Sequence, residues 1–138
     1  IIMSNSEQTL SIIKPDAVER NLDNEIKQMF IKNGFNIFKE KKIQIEKTEA
    51  ENFYKVHETK PFYNDLCSYL SSGPIVAMIL EKKNAVVDNR KLMGATNPKD
   101  AEDGTIRKKY GISIDKNSVH GSDSVENAKI EIDFFFKD

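Results

Sequence analysis

From Ile75 to Leu80 the chain reads Ile-Val-Ala-Met-Ile-Leu, apolar at every position, and Ser71-Ser72-Gly73-Pro74 stands directly before it. A short apolar run without alternation fits a strand buried on both faces, at the centre of a sheet, and the Gly-Pro pair stops the segment ahead of it. Such a strand needs neighbouring strands and covering helices. The remaining sequence alternates between short strand-like runs and amphipathic segments, so a layered α/β or α+β architecture with four strands is expected. The 138 residues suffice for one domain with one core, spanning residues 1–138.

The other elements follow from spacing. Thr9 to Ile13 is rich in β-branched residues and is closed by Lys14-Pro15, which puts Lys14 at the mouth of a strand. Leu22, Ile26, Met29 and Phe30 recur at helical spacing, and Asn33-Gly34 ends that helix. Phe35, Ile37, Ile43 and Ile45 share one parity, with Lys and Glu on the other, which predicts a second strand over 35–45 with one wet face. Phe62, Leu66, Tyr69 and Leu70 mark a further amphipathic helix. A helix from about Asn84 is expected to bury Val86 and Met93, and Arg90 falls between them where an apolar side chain belongs. A cation in that position calls for an anion. The last helix opens on Asp123-Ser124-Val125-Glu126, spaced as a capping box, and buries Val125, Ala128, Ile132 and Phe135. The stretch Gly94 to Arg107 has no clear period and reads as a functional or contact loop.

Composition narrows the function. Lys and Arg number 21 against 22 Asp and Glu, a net charge of −1, which argues against a generic nucleic-acid binder or a membrane-surface protein. Any anion site is therefore local. Cys67 is the only cysteine, so an internal disulfide and a cysteine-rich zinc site are both excluded, and a reducing cytoplasm is the expected location. The first residues lack the apolar stretch of a signal peptide, and no later apolar run is long enough to span a bilayer. Residues 1–7 are expected to be a flexible leader.

Histidine is the side chain type that can change its charge near neutrality, and the chain has two, His57 and His120. His57 sits in the charged run Phe-Tyr-Lys-Val-His-Glu-Thr-Lys-Pro-Phe and reads as an ordinary helix-end residue. His120 sits in Asn-Ser-Val-His-Gly-Ser-Asp-Ser, which from composition alone is either a turn into a capped helix or a reactive site. The chain has no GxxxxGK[ST] and no GxGxxG, so nucleotide phosphates, if bound, are held by side chains, with Lys14, Arg90, Thr96 and Arg107 as candidates.

The segment NSVHGSDS resembles the active-site signature of the nucleoside diphosphate kinases. The likeness extends through TLSIIKPDAVER, FYKVHETKPF, SGPIVAMILE and LMGATNPKDAEDGTIR, five separated segments in matching order. It implies a ferredoxin-like βαββαβ fold, an α+β sandwich whose four-stranded antiparallel sheet is covered by helices. Its last strand is the short one holding His120, which periodicity alone leaves unassigned.

The resemblance also implies an activity: the γ-phosphate of a nucleoside triphosphate passes to His120 and then to a nucleoside diphosphate, a ping-pong relay. By the same similarity Glu131 fixes the other ring nitrogen and Ser122 supports Glu131. Lys14 and Tyr54 lie near the transferred phosphate, while Arg90, Thr96 and Arg107 hold the remaining ones. Phe62, with Leu66 and Ile114 beside it, stacks on the base, and Lys14 and Asn117 meet the sugar hydroxyls. Mg2+ rides on the nucleotide's phosphates and reaches the protein through water, with Asp123 as its contact. The partners implied are nucleoside di- and triphosphates and further copies of the chain, as a hexamer or tetramer, without membrane or specific nucleic acid. Asn24, Lys60 and Lys108-Lys109 depart from the family's usual pattern and bear on stability and surface contacts. Two other readings share parts of this pattern: a phosphohistidine carrier, which has no need of Phe62, Asn117, Arg90 and Arg107, and an inactive ferredoxin-like binding module.

Overall fold

A computed structural model describes residues 7–114 and 116–136 of the chain. Its sheet is built from β1 (Glu7–Ile13), β2 (Asn36–Ile43), β3 (Ile75–Lys82) and β4 (Val119–Gly121), in the order β2-β3-β1-β4 with every neighbouring pair antiparallel. The apolar run Ile75 to Leu80 is buried throughout and lies between β2 and β1, as a strand covered on both faces must. Glu7 already pairs with Lys82, so the expected flexible leader does not include it. The rest of that leader, residues 1–6, lies outside the described residues.

Helices α1 (Pro15–Glu19) and α2 (Asp23–Lys32) join β1 to β2. A pair, α3 (Lys47–Phe53) and α4 (Tyr63–Leu70), joins β2 to β3, and α5 (Ala85–Met93) with α6 (Ile106–Tyr110) leads to β4. Helix α7 (Val125–Phe136) follows. The order is the ferredoxin-like βαββαβ, with α3 and α4 inserted and the short fourth strand carrying His120.

Alternation along β3 divides the interior in two. Val76, Met78 and Leu80 pack with Phe30, Ile26 and Met93 on one side of the sheet. Ile75 and Ala77 pack with Leu10, Ile12, Leu70 and Phe135 on the other. Each buried aliphatic or aromatic side chain contributes roughly 1.5–3 kcal/mol of transfer free energy, so helices are drawn onto both faces.

Strand β2 departs from the parity rule. Ile37 pairs with Leu80 and Lys39 with Ile79, which leaves Phe38 as an extra residue in a bulge, half exposed at 51%. One inserted residue exchanges the faces of everything beyond it. Phe35 and Ile37 therefore join the first core, while Ile43 and Ile45, of the same parity in sequence, join the second.

Other local expectations are corrected as well. Pro15 does end β1, but it also opens α1, where its missing N–H is no loss. Helix α7 is capped by Ser124, whose Oγ accepts from the Asn127 N–H at 3.0 Å, one residue later than the Asp123–Glu126 spacing suggests. Val125, in the first helical position, is 43% exposed and does not belong to the buried stripe, whereas Ala128 and Phe135 do. On α5 the buried polar residue is Asn89, and Arg90 turns outward. The stretch Gly94 to Arg107 is more ordered than a loop: it contains a 3-10 turn at Pro98–Asp100, and Thr105 caps α6 by accepting from the Lys108 N–H at 3.3 Å.

Candidate active site

His120 is placed by strand parity. It pairs with Ile12, which belongs to the core under α3, α4 and α7, so the imidazole emerges on that face. Two aromatic rings from the end of α3 meet it edge-on, Phe53 at 5.3 Å and Tyr54 at 6.1 Å between centroids. Glu131 lies three residues beyond Ala128 and four before Phe135, on the inward stripe of α7, and its Oε1 stands 3.2 Å from His120 Nε2. Ser122, fully buried, donates through Oγ to the same Glu131 oxygen at 2.7 Å and accepts the Leu10 N–H at 3.3 Å. The imidazole is thus tied through a carboxylate and a hydroxyl to the backbone of β1.

The ring faces a cleft of about 750 Å3, well within the range for a small-molecule site. Lys14, at the N-terminal cap of α1, donates from Nζ to Asn117 Oδ1 at 2.9 Å, and Asn117 Nδ2 donates to the Thr96 carbonyl at 3.1 Å. Arg107, from α6, is buried and gives Nη1 to the Gly94 carbonyl at 3.1 Å and Nη2 to the Val119 carbonyl at 2.8 Å. Burial, together with Arg90, lowers the Arg107 guanidinium to about 10, and it stays cationic at neutral pH. Among the described residues no carboxylate lies in ion-pair reach of Arg90 or Arg107, so two guanidinium charges are left for an anion.

Lys14, Tyr54, Arg90, Arg107, Asn117 and His120 all line this one cleft. Phe62, Leu66, Thr96 and Ile114 line it too, as do Asp123 and Glu131, while Ser122 lies behind Glu131. Periodicity alone makes Phe62 a core residue, but the structure leaves it 46% exposed with its ring toward the cleft, and Ile114 is exposed as well. Leu66 is partly buried against the core. Asp123 accepts from Asn127 Nδ2 at 2.6 Å, and that bond holds its carboxyl below the usual range.

His57, read as an ordinary helix-end histidine, does end a helical turn, the 3-10 turn Lys55–His57, and also lines this cleft. It lies 5.9 Å from the Phe62 ring and 6.3 Å from Tyr54. Burial, then the Lys60 and His120 charges, depresses its pKa. Its position three residues after Tyr54 is the one signal in the sequence that could have placed it. Phe53 and Asn127 also line the cleft without having been singled out.

Three buried polar atoms in the cleft wall have no partner among the described residues: the Tyr54 hydroxyl, His57 Nδ1 and Arg107 Nε. Burial, followed by the nearby Glu131 charge, raises the Tyr54 pKa, so the phenol stays protonated as a donor. Each such atom costs about 1–3 kcal/mol unless something polar meets it, so these three are disposed to take a polar ligand in the cleft. Among the described residues no group of three or more His, Cys, Asp or Glu side chains could hold a metal ion, and no helix is long and apolar enough to cross a membrane.

The family model of the nucleoside diphosphate kinases matches residues 7–138. Nucleoside diphosphate kinase of Campylobacter jejuni is 58% identical over 131 residues, covering 95% of this chain and 96% of that protein. The Geobacter enzyme of the same name is 55% identical over 130 residues, covering 94% and 95%. Among solved structures, Aquifex aeolicus nucleoside diphosphate kinase superposes with a TM-score of 0.94 at 38% identity, covering 96% of each chain. The Encephalitozoon cuniculi enzyme gives 0.92 at 40% identity, covering 96% of this chain and 90% of its own. In fold, length and sequence alike, this chain belongs to the nucleoside diphosphate kinase family.

Proposed function

We propose that the protein transfers the γ-phosphate of a nucleoside triphosphate to a nucleoside diphosphate through a phosphorylated His120. The observation that carries this reading is the His120–Glu131–Ser122 chain, standing in a cleft with two guanidinium groups that, among the described residues, form no ion pair with a carboxylate.

With Nε2–H donating to Glu131, Nδ1 keeps the lone pair and is the attacking atom. The Nδ1–P bond forms as the bond from Pγ to the bridging oxygen breaks, and the diphosphate leaves with the electron pair. No proton has to be removed first. The ring becomes cationic as it is phosphorylated, and the fixed Glu131 carboxylate compensates that charge. An oxygen of the second nucleoside diphosphate then attacks the phosphorus, and the Nδ1–P electrons return to the ring. Charge on the phosphoryl oxygens in both transition states is met by preorganised donors: Lys14, the Tyr54 hydroxyl, and the two arginines with Thr96. Phe62, flanked by Leu66 and Ile114, offers the base a flat apolar face, which favours stacking over base-specific hydrogen bonds. Lys14 and Asn117 serve the sugar hydroxyls.

Mg2+ fits this site as a companion of the nucleotide. Asp123, the ionised carboxylate beside Arg90, would hold it through water, consistent with a hard cation that keeps much of its hydration. Bound in that way it would neutralise charge on the phosphates. By the family resemblance the working form is a homo-oligomer, hexameric or tetrameric. A cytoplasmic location accords with the free, buried Cys67.

Incubation with γ-labelled ATP and Mg2+, followed by chelation, should leave acid-labile, base-stable label on the wild type and none on His120→Ala. Chasing with unlabelled GDP should produce labelled GTP. Label that persists in the variant would defeat the nucleophile assignment, and label that GDP cannot remove would favour a phosphohistidine carrier.

A further inference from the structure

Asp16 is a buried acid, 7% exposed, two residues beyond Lys14 at the start of α1, and it does not line the cleft. A carboxylate in such a place is costly unless its oxygens are bonded, and here they are. Its Oδ2 accepts from Ser118 Oγ at 3.0 Å and from Arg20 Nη2 at 3.1 Å, and its Oδ1 accepts from the Tyr69 hydroxyl. Tyr69 in turn accepts the Asp16 backbone N–H at 2.8 Å. Arg20 also donates to the Tyr110 carbonyl at 2.6 Å. Elements far apart in sequence, α1, the end of α4 and the turn before β4, therefore converge on one carboxylate, and Arg20 ties the end of α6 to the same group.

Ser118 is the informative member. Its φ is 75°, a left-handed conformation rare for a residue with a side chain, so something must hold it there. Its carbonyl accepts the Lys14 N–H at 2.8 Å and its hydroxyl is bound by Asp16. The residue before it is Asn117, whose side chain meets Lys14 Nζ, and the residue after it begins the strand that carries His120.

We propose that Asp16 is a positioning residue for phosphoryl transfer: by pinning the Ser118 turn, its carboxylate keeps Asn117 and Lys14 presented to the cleft as a fixed pair. This rests on the reading of Asn117 and Lys14 as substrate-contacting groups. A turn that relaxes when the carboxylate is lost carries Asn117 with it, and Lys14 Nζ then loses a defined acceptor.

The test is a double-mutant cycle on kcat/KM with Asp16→Asn, Asn117→Ala and the double variant, with rates expressed per phosphorylatable His120 so that unfolded protein is not counted. Asp16→Asn should lower kcat/KM by about tenfold or more, and the double variant should match Asn117→Ala within about twofold, because the route through Asn117 has already been removed. Ser118→Gly, which tolerates the left-handed φ and lacks the hydroxyl, should reproduce the Asp16→Asn loss in a protein that folds readily. Losses that add in the double variant, or unchanged rates per active site in Asp16→Asn and Ser118→Gly, overturn the positioning role while leaving Asn117 as a contact. Undiminished kcat/KM in Asn117→Ala overturns the contact reading itself and the proposal with it.

Discussion

Arg107 donates through Nη2 to the carbonyl of Val119 at 2.8 Å, the residue that immediately precedes His120. The bond ties a cation on α6 to the short strand carrying the histidine, so guanidinium and imidazole keep a constant separation. The planar fork makes a second bond to the Gly94 carbonyl at 3.1 Å, and Nε is left without a partner among the described residues. A lysine cannot reproduce that geometry. Arg107→Lys is expected to lower kcat/KM by about a hundredfold or more, the scale of losing a preorganised donor, while His120 stays in place. Steady-state kinetics beside a thermal melt checks this, and near-wild-type kcat/KM in the variant would refute it.

Glu131 serves two groups through one oxygen, His120 and Ser122. Glu131→Gln keeps the shape and removes the charge that, in the proposed mechanism, compensates the phosphorylated ring. Its phosphohistidine should form more slowly, by about tenfold to a thousandfold. Ser122→Ala should cost less, because it removes one neutral donor and leaves the carboxylate. Rapid-quench measurement of the phosphoenzyme gives both rates, and the opposite ranking would contradict the proposed roles.

Protonation of His57 is opposed by burial and by neighbouring positive charge, so its pKa in the folded protein lies below the ordinary 6.5. The unfolded chain therefore takes up the proton first as pH falls. The contribution of neutral His57 to stability is complete above pH 6.5 and declines from there toward the lower folded-state value. Melting temperatures of wild type and His57→Gln should converge as the pH is lowered through that window. A difference that stays constant or widens would show that His57 does not titrate in this way.

Gly121, next to His120, faces Asn89 across the sheet-to-helix contact. A Cβ there would lie 2.4 Å from Asn89 Nδ2 and 2.8 Å from Met93 Sδ. Neither neighbour has room to retreat, since Asn89 and Met93 are both buried. Gly121→Ala should destabilise the protein by about 1–3 kcal/mol and displace β4, with loss of activity. Denaturant unfolding measures the first effect, and an unchanged midpoint would indicate slack that the structure does not have.

Much of this was decided locally. The apolar run of β3, the helical spacing of α2 and α4, the proline after β1 and the glycine after α2 act within a few residues, where sterics and periodicity suffice. The segment around His120 was likewise legible as a motif, and the grouping of Glu131, Arg107 and Lys14 with it came from resemblance to a family, since no local rule joins positions so far apart. Only the tertiary structure decided which way Phe38 sends the faces of β2, because a bulge is set by the strand alongside it. Only packing brought His57 beside Phe62, turned Asn89 rather than Arg90 into the interior, and collected Ser118, Tyr69 and Arg20 on Asp16. Backbone spacing determines which side chains share a face, whereas the chain's closure on itself determines what that face meets.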